Sequence, residues 1–97
     1  MNCIHLGASG YPPLLAQISD PPSCLWVRGE ASVLTRPCVA VVGARSASRE
    51  GLAAARDIAL DLARAGIVVV SGLARGVDSA AHRGALDGGG QTIAVLG

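Results

Sequence analysis

The sequence predicts an α/β fold built on a parallel β-sheet. Three short runs rich in Val and Ile stand just before glycines, and patterns typical of helices separate them. The order is therefore strand, helix, strand, helix, strand, which is typical of βαβ units and a parallel sheet. We expect half of a doubly wound, Rossmann-like domain in residues 38–97, preceded by a lead-in segment in residues 1–37.

The strands are predicted from short apolar runs at residues 38–42, 67–70 and 92–96, the second strand continuing to Ser71. Runs that are short, β-branched and bounded by glycine are expected to form strands buried on both faces. A right-handed crossover places the second strand beside the first.

Two helices are predicted between these strands. The first, residues 49–65, carries one apolar stripe, made of Leu52, Ala55, Ala59 and Leu62, with Ile58 and Ala63 beside it. Ser48 can cap its start, and Gly66 can adopt the left-handed conformation after its end. The second helix is shorter, residues 78–86, with Asp78 as its expected cap and three glycines after it.

The lead-in segment contains all 5 prolines of the chain. Pro12 and Pro13 can open a short helix, because proline is tolerated in a first helical turn. The apolar face of that helix would consist of Leu14, Leu15 and Ile18, and the Asp-Pro-Pro sequence at residues 20–22 would stop it. Residues 24–27 are expected to form a strand and residues 31–34 one helical turn.

The composition is that of a folded protein, with 51% hydrophobic and only 15% charged residues. The net charge of +1 does not by itself suggest a nucleic-acid partner. All 8 basic side chains are arginines, whose planar fork matches phosphate geometry. Because gene composition alone can also favour arginine, the positions of these arginines matter more than their number.

The cysteines Cys3, Cys24 and Cys38 are odd in number and form no C-x-x-C pair, so neither a disulfide framework nor a zinc site is expected. The start of the chain lacks the pattern of a signal peptide, and every apolar run is too short to cross a membrane. We expect a reduced, cytoplasmic protein with no metal and no cofactor.

Two loops that follow strands are candidate anion sites, because ligands of open parallel sheets bind beyond the carboxyl ends of the strands. Residues 43–48 and 71–78 are rich in small residues, carry one arginine each and lead into a helix N-terminus, which favours anions. Small residues let a phosphate approach the backbone, and arginine adds charge-assisted contacts. The candidate phosphate-binding residues are Gly43, Ala44, Arg45, Ser46, Ser71, Gly72, Ala74, Arg75, Gly76 and Asp78.

Neither loop carries a known nucleotide fingerprint. The pattern G-x-G-x-x-G needs glycine where Arg45 and Ser48 stand, and the P-loop pattern is absent. Glycine and serine are also common in ordinary strand-to-helix turns. The spacing alone therefore leaves anion binding and a purely structural turn both open.

Ser71, Asp78 and His82 have the residue types of a hydrolase triad, and Asp78 and His82 can touch because they are four residues apart on a helix. The nucleophile-elbow pattern G-x-S-x-G is absent. We therefore assign no catalytic residue and expect His82 to pack or to bond Asp78. His5 is expected to be isolated in a mobile terminus.

The same strands and loops resemble the DNA-processing protein A (DprA/Smf) family. Residues 39–45 are similar to its strand and G-[SA]-R turn, and residues 69–86 to its S-G-x-A-x-G-[IV]-D-x-x-A-H-x-x-A-L signature. Residues 90–97 match its G-x-T-I-A-V-L-G strand, and the lead-in between Tyr11 and Gly29 also fits.

The resemblance implies single-stranded DNA binding without strong sequence preference. It also implies protection of incoming DNA in natural transformation, loading of the RecA recombinase, a homodimer and no catalytic activity. Arg45 matches an arginine implicated in DNA contact, and residues 71–78 match a phosphate-pocket loop. Two alternatives stay open: a nucleotide- or sugar-phosphate-binding enzyme domain of a related fold, and a non-functional remnant that folds poorly alone.

Overall fold

The computed structural model describes residues 1–96, which fall into two compact units. The first unit is Met1–Arg36, and the second begins at Pro37. Among the described residues, no helix has the length and apolar composition that a membrane crossing requires.

The first unit is built on a two-stranded antiparallel sheet of β1 (Asn2–His5) and β2 (Cys24–Val27). A one-turn helix, α1 (Pro13–Ala16), lies between the strands in sequence, and a 3-10 helix (Ala31–Thr35) follows them. The predictions for α1, β2 and the later helical turn are confirmed. The apolar face predicted for α1 is wrong, since Leu14 is 77% exposed and Ile18 50% exposed. A helix of four residues is too short to bury a stripe of its own.

One disulfide bond and one side-chain hydrogen bond link distant parts of the first unit. Cys3 and Cys24 form a disulfide across β1 and β2, and the buried Tyr11 donates a hydrogen bond from its hydroxyl to the carbonyl of Pro22, 2.7 Å away. The expectation of no disulfide is therefore wrong. The two cysteines are 21 residues apart, so only strand pairing brings them together.

The second unit contains a three-stranded parallel sheet. Its strands are β3 (Cys38–Ala40), β4 (Val68–Ser71) and β5 (Thr92–Ala94), in the order β3-β4-β5. The predicted parallel sheet and the predicted β3–β4 neighbours are confirmed. The outer strands are shorter than expected, although one backbone bond extends each of them, from Val41 N to Val70 O and from Val95 N to Ser71 O, both 2.9 Å.

Two helices connect these strands, α2 (Arg49–Arg64) and α3 (Val77–Asp87). The caps predicted for α2 are confirmed: the Ser48 hydroxyl accepts from Gly51 N at 3.0 Å, and Gly66 has a φ of +81°. The cap predicted for α3 is wrong. Gly76 occupies the N-cap position and Asp78 is the second residue of the helix, because the chain turns at Gly76 with a φ of +77°.

The two helices pack against each other and against β4, and right-handed crossovers, the rule for such connections, put both on one face of the sheet. The core between them is made of small side chains, namely Ala59, Ala63, Val69, Ala81 and Ala85. The helices approach closely at Gly84, where an added Cβ would overlap the carbonyl oxygen of Arg56. Small residues are therefore required for the α2–α3 crossing.

Burial on both faces holds only for β4, where Val68 is 1% and Val69 0% exposed. Every residue of β3 is exposed, and so is Ile58 on α2, at 54%. The prediction of burial on both faces is wrong for β3 and β5, because each has one neighbouring strand within residues 1–96, whereas β4 lies between the two.

We predict that Gly84→Ala lowers the free energy of unfolding by about 2–3 kcal/mol, since the added methyl forces α2 and α3 apart. Gly51→Ala is the matched control on α2, where the new Cβ meets only the Ser48 hydroxyl at 3.2 Å and the Ala47 Cβ at 3.7 Å. That control should change stability by less than about 1 kcal/mol. Urea unfolding followed by circular dichroism compares the two, and equal losses would contradict the proposed packing constraint.

Candidate nucleic-acid interface

The two predicted loops lie side by side at the carboxyl ends of β3 and β4. The backbone N–H of Val77 donates to the carbonyl of Ala44 at 3.2 Å, which ties the second loop to the first. This contact places the backbones of Arg45 and Gly76 against each other. The structure thus brings together the two arginine-bearing loops that the sequence singles out.

The glycines of these loops are required by packing between the loops. A Cβ at Gly76 would overlap the backbone oxygens of Ala44 and Arg45, and a Cβ at Gly43 would lie 2.8 Å from a Val77 methyl. At Gly72 it would lie 2.8 Å from a carboxylate oxygen of Asp78. At these three glycines the space that a side chain would occupy is filled by neighbouring atoms of the chain.

The arginines of the two loops, Arg45 and Arg75, are exposed to solvent. Within residues 1–96, no carboxylate lies within ion-pair distance of Arg45 or Arg75. Arg56 differs, because its guanidinium is 2.8 Å from Asp87 and 3.6 Å from Asp57. Both loop arginines therefore offer an uncompensated positive charge to solvent.

The helix N-termini behind the loops already face negative charge. Glu50 lies in the first turn of α2, and Asp78, only 8% exposed, lies in the first turn of α3. A carboxylate there interacts favourably with the helix dipole and repels a second anion. At this edge of the sheet, the arginines rather than the helix ends are suited to hold a phosphate.

Ser71 is turned into the sheet. It is 2% exposed, and its hydroxyl donates to the carbonyl of Val41 at 2.6 Å, joining the ends of β3 and β4. Of the other predicted residues, Ala44 and Ser46 are exposed on the first loop, and Ala74 is half-buried on the second. The structure thus separates the predicted residues into exposed ones and ones that position the loops.

His82 fixes the second loop to the sheet. Its Nε2–H donates to the carbonyl of Gly72 at 2.6 Å, and its Nδ1 lies 2.6 Å from the Thr92 hydroxyl oxygen, which is 2.9 Å from the carbonyl of Val69. Of the two alternatives expected for His82, packing or a bond to Asp78, the bond to Asp78 is not formed. The three residue types of a triad are not assembled either, since Ser71 and His82 bond different partners.

Arg83 is a candidate that the sequence interpretation missed. It lines a groove of about 380 Å³ beside the second loop, together with Leu73, Ala74, Ser79, His82, Leu86 and Asp87. Arg83 is exposed, and no ion pair involving it occurs within residues 1–96. Arg83 follows Ser79 by four residues on α3, so the two share one face of the helix.

The family model for DNA recombination-mediator protein A matches residues 2–97 of the chain. The chain belongs to the DNA recombination-mediator protein A family. A DNA processing protein DprA from Streptococcus pneumoniae is 45% identical over 87 residues, which are 90% of this chain and 30% of that protein. Protein Smf of Escherichia coli is also 45% identical over 87 residues, which are 23% of its length.

The fold of this family member agrees with a solved structure. The X-ray structure of DprA from Streptococcus pneumoniae superposes with a TM-score of 0.90 at 40% sequence identity, over 97% of this chain and 33% of that chain. The predicted fold class and the predicted family are both confirmed. The chain spans a third or less of the length of these relatives.

In this family member, we predict that Gly43→Ala lowers the free energy of unfolding by about 1–3 kcal/mol, because the new Cβ meets the Val77 side chain. In a Val77→Ala background Gly43→Ala should lower the free energy of unfolding by less, because both γ-methyls of Val77 that face the new Cβ are removed. Thermal unfolding of the parent, both single variants and the double variant gives the coupling energy. A cost that is identical in the two backgrounds would contradict the assigned contact.

Proposed function

We propose that this chain binds single-stranded DNA without strong sequence preference, as part of DNA processing in natural transformation and RecA-mediated recombination. The observation that carries the proposal is the pair of loops at one edge of the sheet, each presenting an exposed arginine. The family assignment supports it, because the relatives are named as DNA processing proteins.

Arg45 and Arg75 are the proposed phosphate contacts. Guanidinium groups form bidentate, charge-assisted hydrogen bonds with phosphate oxygens, and neither of these two has a competing carboxylate within residues 1–96. Arg83, on the groove beside the second loop, is proposed as a third contact. Contacts to the phosphate backbone carry no sequence information, which accords with binding of any sequence.

The other loop residues have supporting roles in this proposal. Gly43, Gly72 and Gly76 let the loops pack, and Ser71 and Asp78 hold the strand end and the helix start. Ala44, Ser46 and Ala74 complete the loop surface that faces the DNA backbone.

Binding, and not catalysis, is the proposed activity. The Ser71 hydroxyl and the His82 imidazole are both bonded to backbone carbonyls, so neither is poised to act on a substrate. From the family resemblance we further propose a cytoplasmic protein that acts as a homodimer and passes its DNA to the RecA recombinase.

We predict that Arg45→Ala and Arg75→Ala each weaken binding to labelled oligo-dT and reduce the salt slope of log K by about 0.7, the value per phosphate contact for single strands. The matched control is Arg64→Ala, because Arg64 is exposed in the last turn of α2, at the opposite end of that helix from the first loop. It should leave affinity and slope within error of the parent.

Fluorescence anisotropy at four salt concentrations makes the measurement, with duplex DNA and ATP as competitors. Circular dichroism establishes that each variant is folded. Unchanged binding by folded Arg45→Ala and Arg75→Ala proteins would overturn the assignment of the site, and displacement of the oligonucleotide by ATP would favour a nucleotide ligand instead.

A further inference from the structure

The paired strands of the first unit carry a cluster of metal-ligating side chains apart from the arginine loops. In the antiparallel register His5 is opposite Cys24, and Cys3 is opposite Trp26. Side chains alternate between the two faces of a strand, so Cys3, His5 and Cys24 lie on the same face of this sheet. Residues that the sequence interpretation treats separately thus form one group.

The placement of the three side chains suits a tetrahedral metal ion once the disulfide is reduced. The ligating atoms of Cys3, His5 and Cys24 all lie within 4.8 Å of one another, and the Cys3 sulfur is 3.8 Å from Nε2 of His5. Ligand atoms on a tetrahedral zinc ion are about 3.6–3.8 Å apart, given bonds of about 2.3 Å to sulfur and about 2.0–2.1 Å to nitrogen. Cys3 and Cys24 are bonded to each other in this structure, so the disulfide must be reduced and the two sulfurs must rotate apart before the three atoms can surround an ion.

The cluster is open to solvent. His5 is exposed, and the two cysteines are only half-buried, so both a reductant and a metal ion can reach them. Two thiolates and one imidazole form a donor set that selects zinc over magnesium or calcium, which prefer oxygen ligands. Three protein ligands leave the fourth tetrahedral position to water.

We propose that Cys3, His5 and Cys24 form a redox-controlled zinc site, which binds Zn²⁺ when the Cys3–Cys24 disulfide is reduced and is closed to Zn²⁺ when the disulfide is formed. Reduction by a phosphine consumes one water: the phosphine becomes its oxide, the S–S bond breaks, and the two hydrogens of the water become the two thiol protons. Zn²⁺ then displaces these two protons and binds both thiolates and the neutral imidazole.

The test is a Zn²⁺ titration of the whole chain, reduced by a phosphine, against a chromophoric zinc chelator. The reduced chain should bind one Zn²⁺ and the oxidised chain none. Trp26 is the only tryptophan and stands opposite Cys3, so its fluorescence should change during the same titration. Bound Zn²⁺ should also protect Cys3 and Cys24 from alkylation, measured by mass spectrometry, while Cys38 serves as the internal control.

Three variants distinguish a zinc site from a purely structural disulfide. Cys24→Ser should abolish Zn²⁺ binding, whereas Cys38→Ser should leave it unchanged, because Cys38 is exposed in β3 and outside the cluster. His5→Asn keeps both cysteines and the disulfide, so it remains informative if Cys24→Ser does not fold. It should weaken Zn²⁺ binding by at least about tenfold, the loss that follows even from removing an outer-shell partner.

Failure of the reduced, folded chain to bind Zn²⁺ would overturn the proposal, and so would wild-type affinity in His5→Asn. Loss of binding in Cys38→Ser would also overturn it, since a different set of cysteines would then hold the ion. None of these outcomes bears on the DNA-binding proposal, because the arginine loops contain no cysteine.

Discussion

The second unit of this protein depends on the close approach of α2 and α3. At their crossing Gly84 touches the backbone of Arg56, and alanines fill the space that larger side chains would occupy in most helix pairs. Close-packed interiors tolerate little added volume, so this contact fixes where α3 lies on β4. Because α3 also begins at the second loop, the position of the loop follows from the helix crossing.

Close packing without room for larger side chains also holds the two loops of the candidate interface together. Gly43 admits the side chain of Val77, and Gly76 admits the backbone of the first loop. His82 adds a polar connection from α3 to Gly72 and to Thr92 in β5. Loops held in this way are already ordered before a ligand binds. Less conformational entropy is then lost on binding.

The electrostatic character of the interface comes from the placement of a few charges and not from their total. The net charge is +1, and Arg56 is already paired with acidic side chains. Asp78 and Glu50 sit at the helix N-termini, where the helix dipoles would otherwise attract an anion. Arg45, Arg75 and Arg83 are exposed and have no ion-pair partner within residues 1–96, which fits the proposed binding of an extended chain of phosphates better than binding of one buried phosphate group.

The sequence by itself determined the order of elements from α1 onward, the parallel sheet and the family. Local signals decide these features: β-branched runs mark the strands, Ser48 and Gly66 mark the ends of α2, and the long signature of residues 69–86 marks the family. The sequence interpretation missed β1 (Asn2–His5), because that segment was expected to be a mobile terminus. Of the apolar stripe predicted for α2, Ala55 and Ala59 are buried and Leu52 and Leu62 half-buried, while of the two residues beside it Ala63 is buried and Ile58 exposed.

Only the tertiary structure decided the rest, because it depends on contacts between residues far apart in the chain. The Cys3–Cys24 pair follows from the β1–β2 register, and the bond from Ser71 to Val41 follows from the pairing of β3 with β4. In the sequence the loop glycines suggested close approach of a ligand, and the structure adds that neighbouring atoms fill the place a side chain would take at each of them. Spacing along a chain reports which backbone conformations are allowed, whereas the partner of each side chain is set by packing.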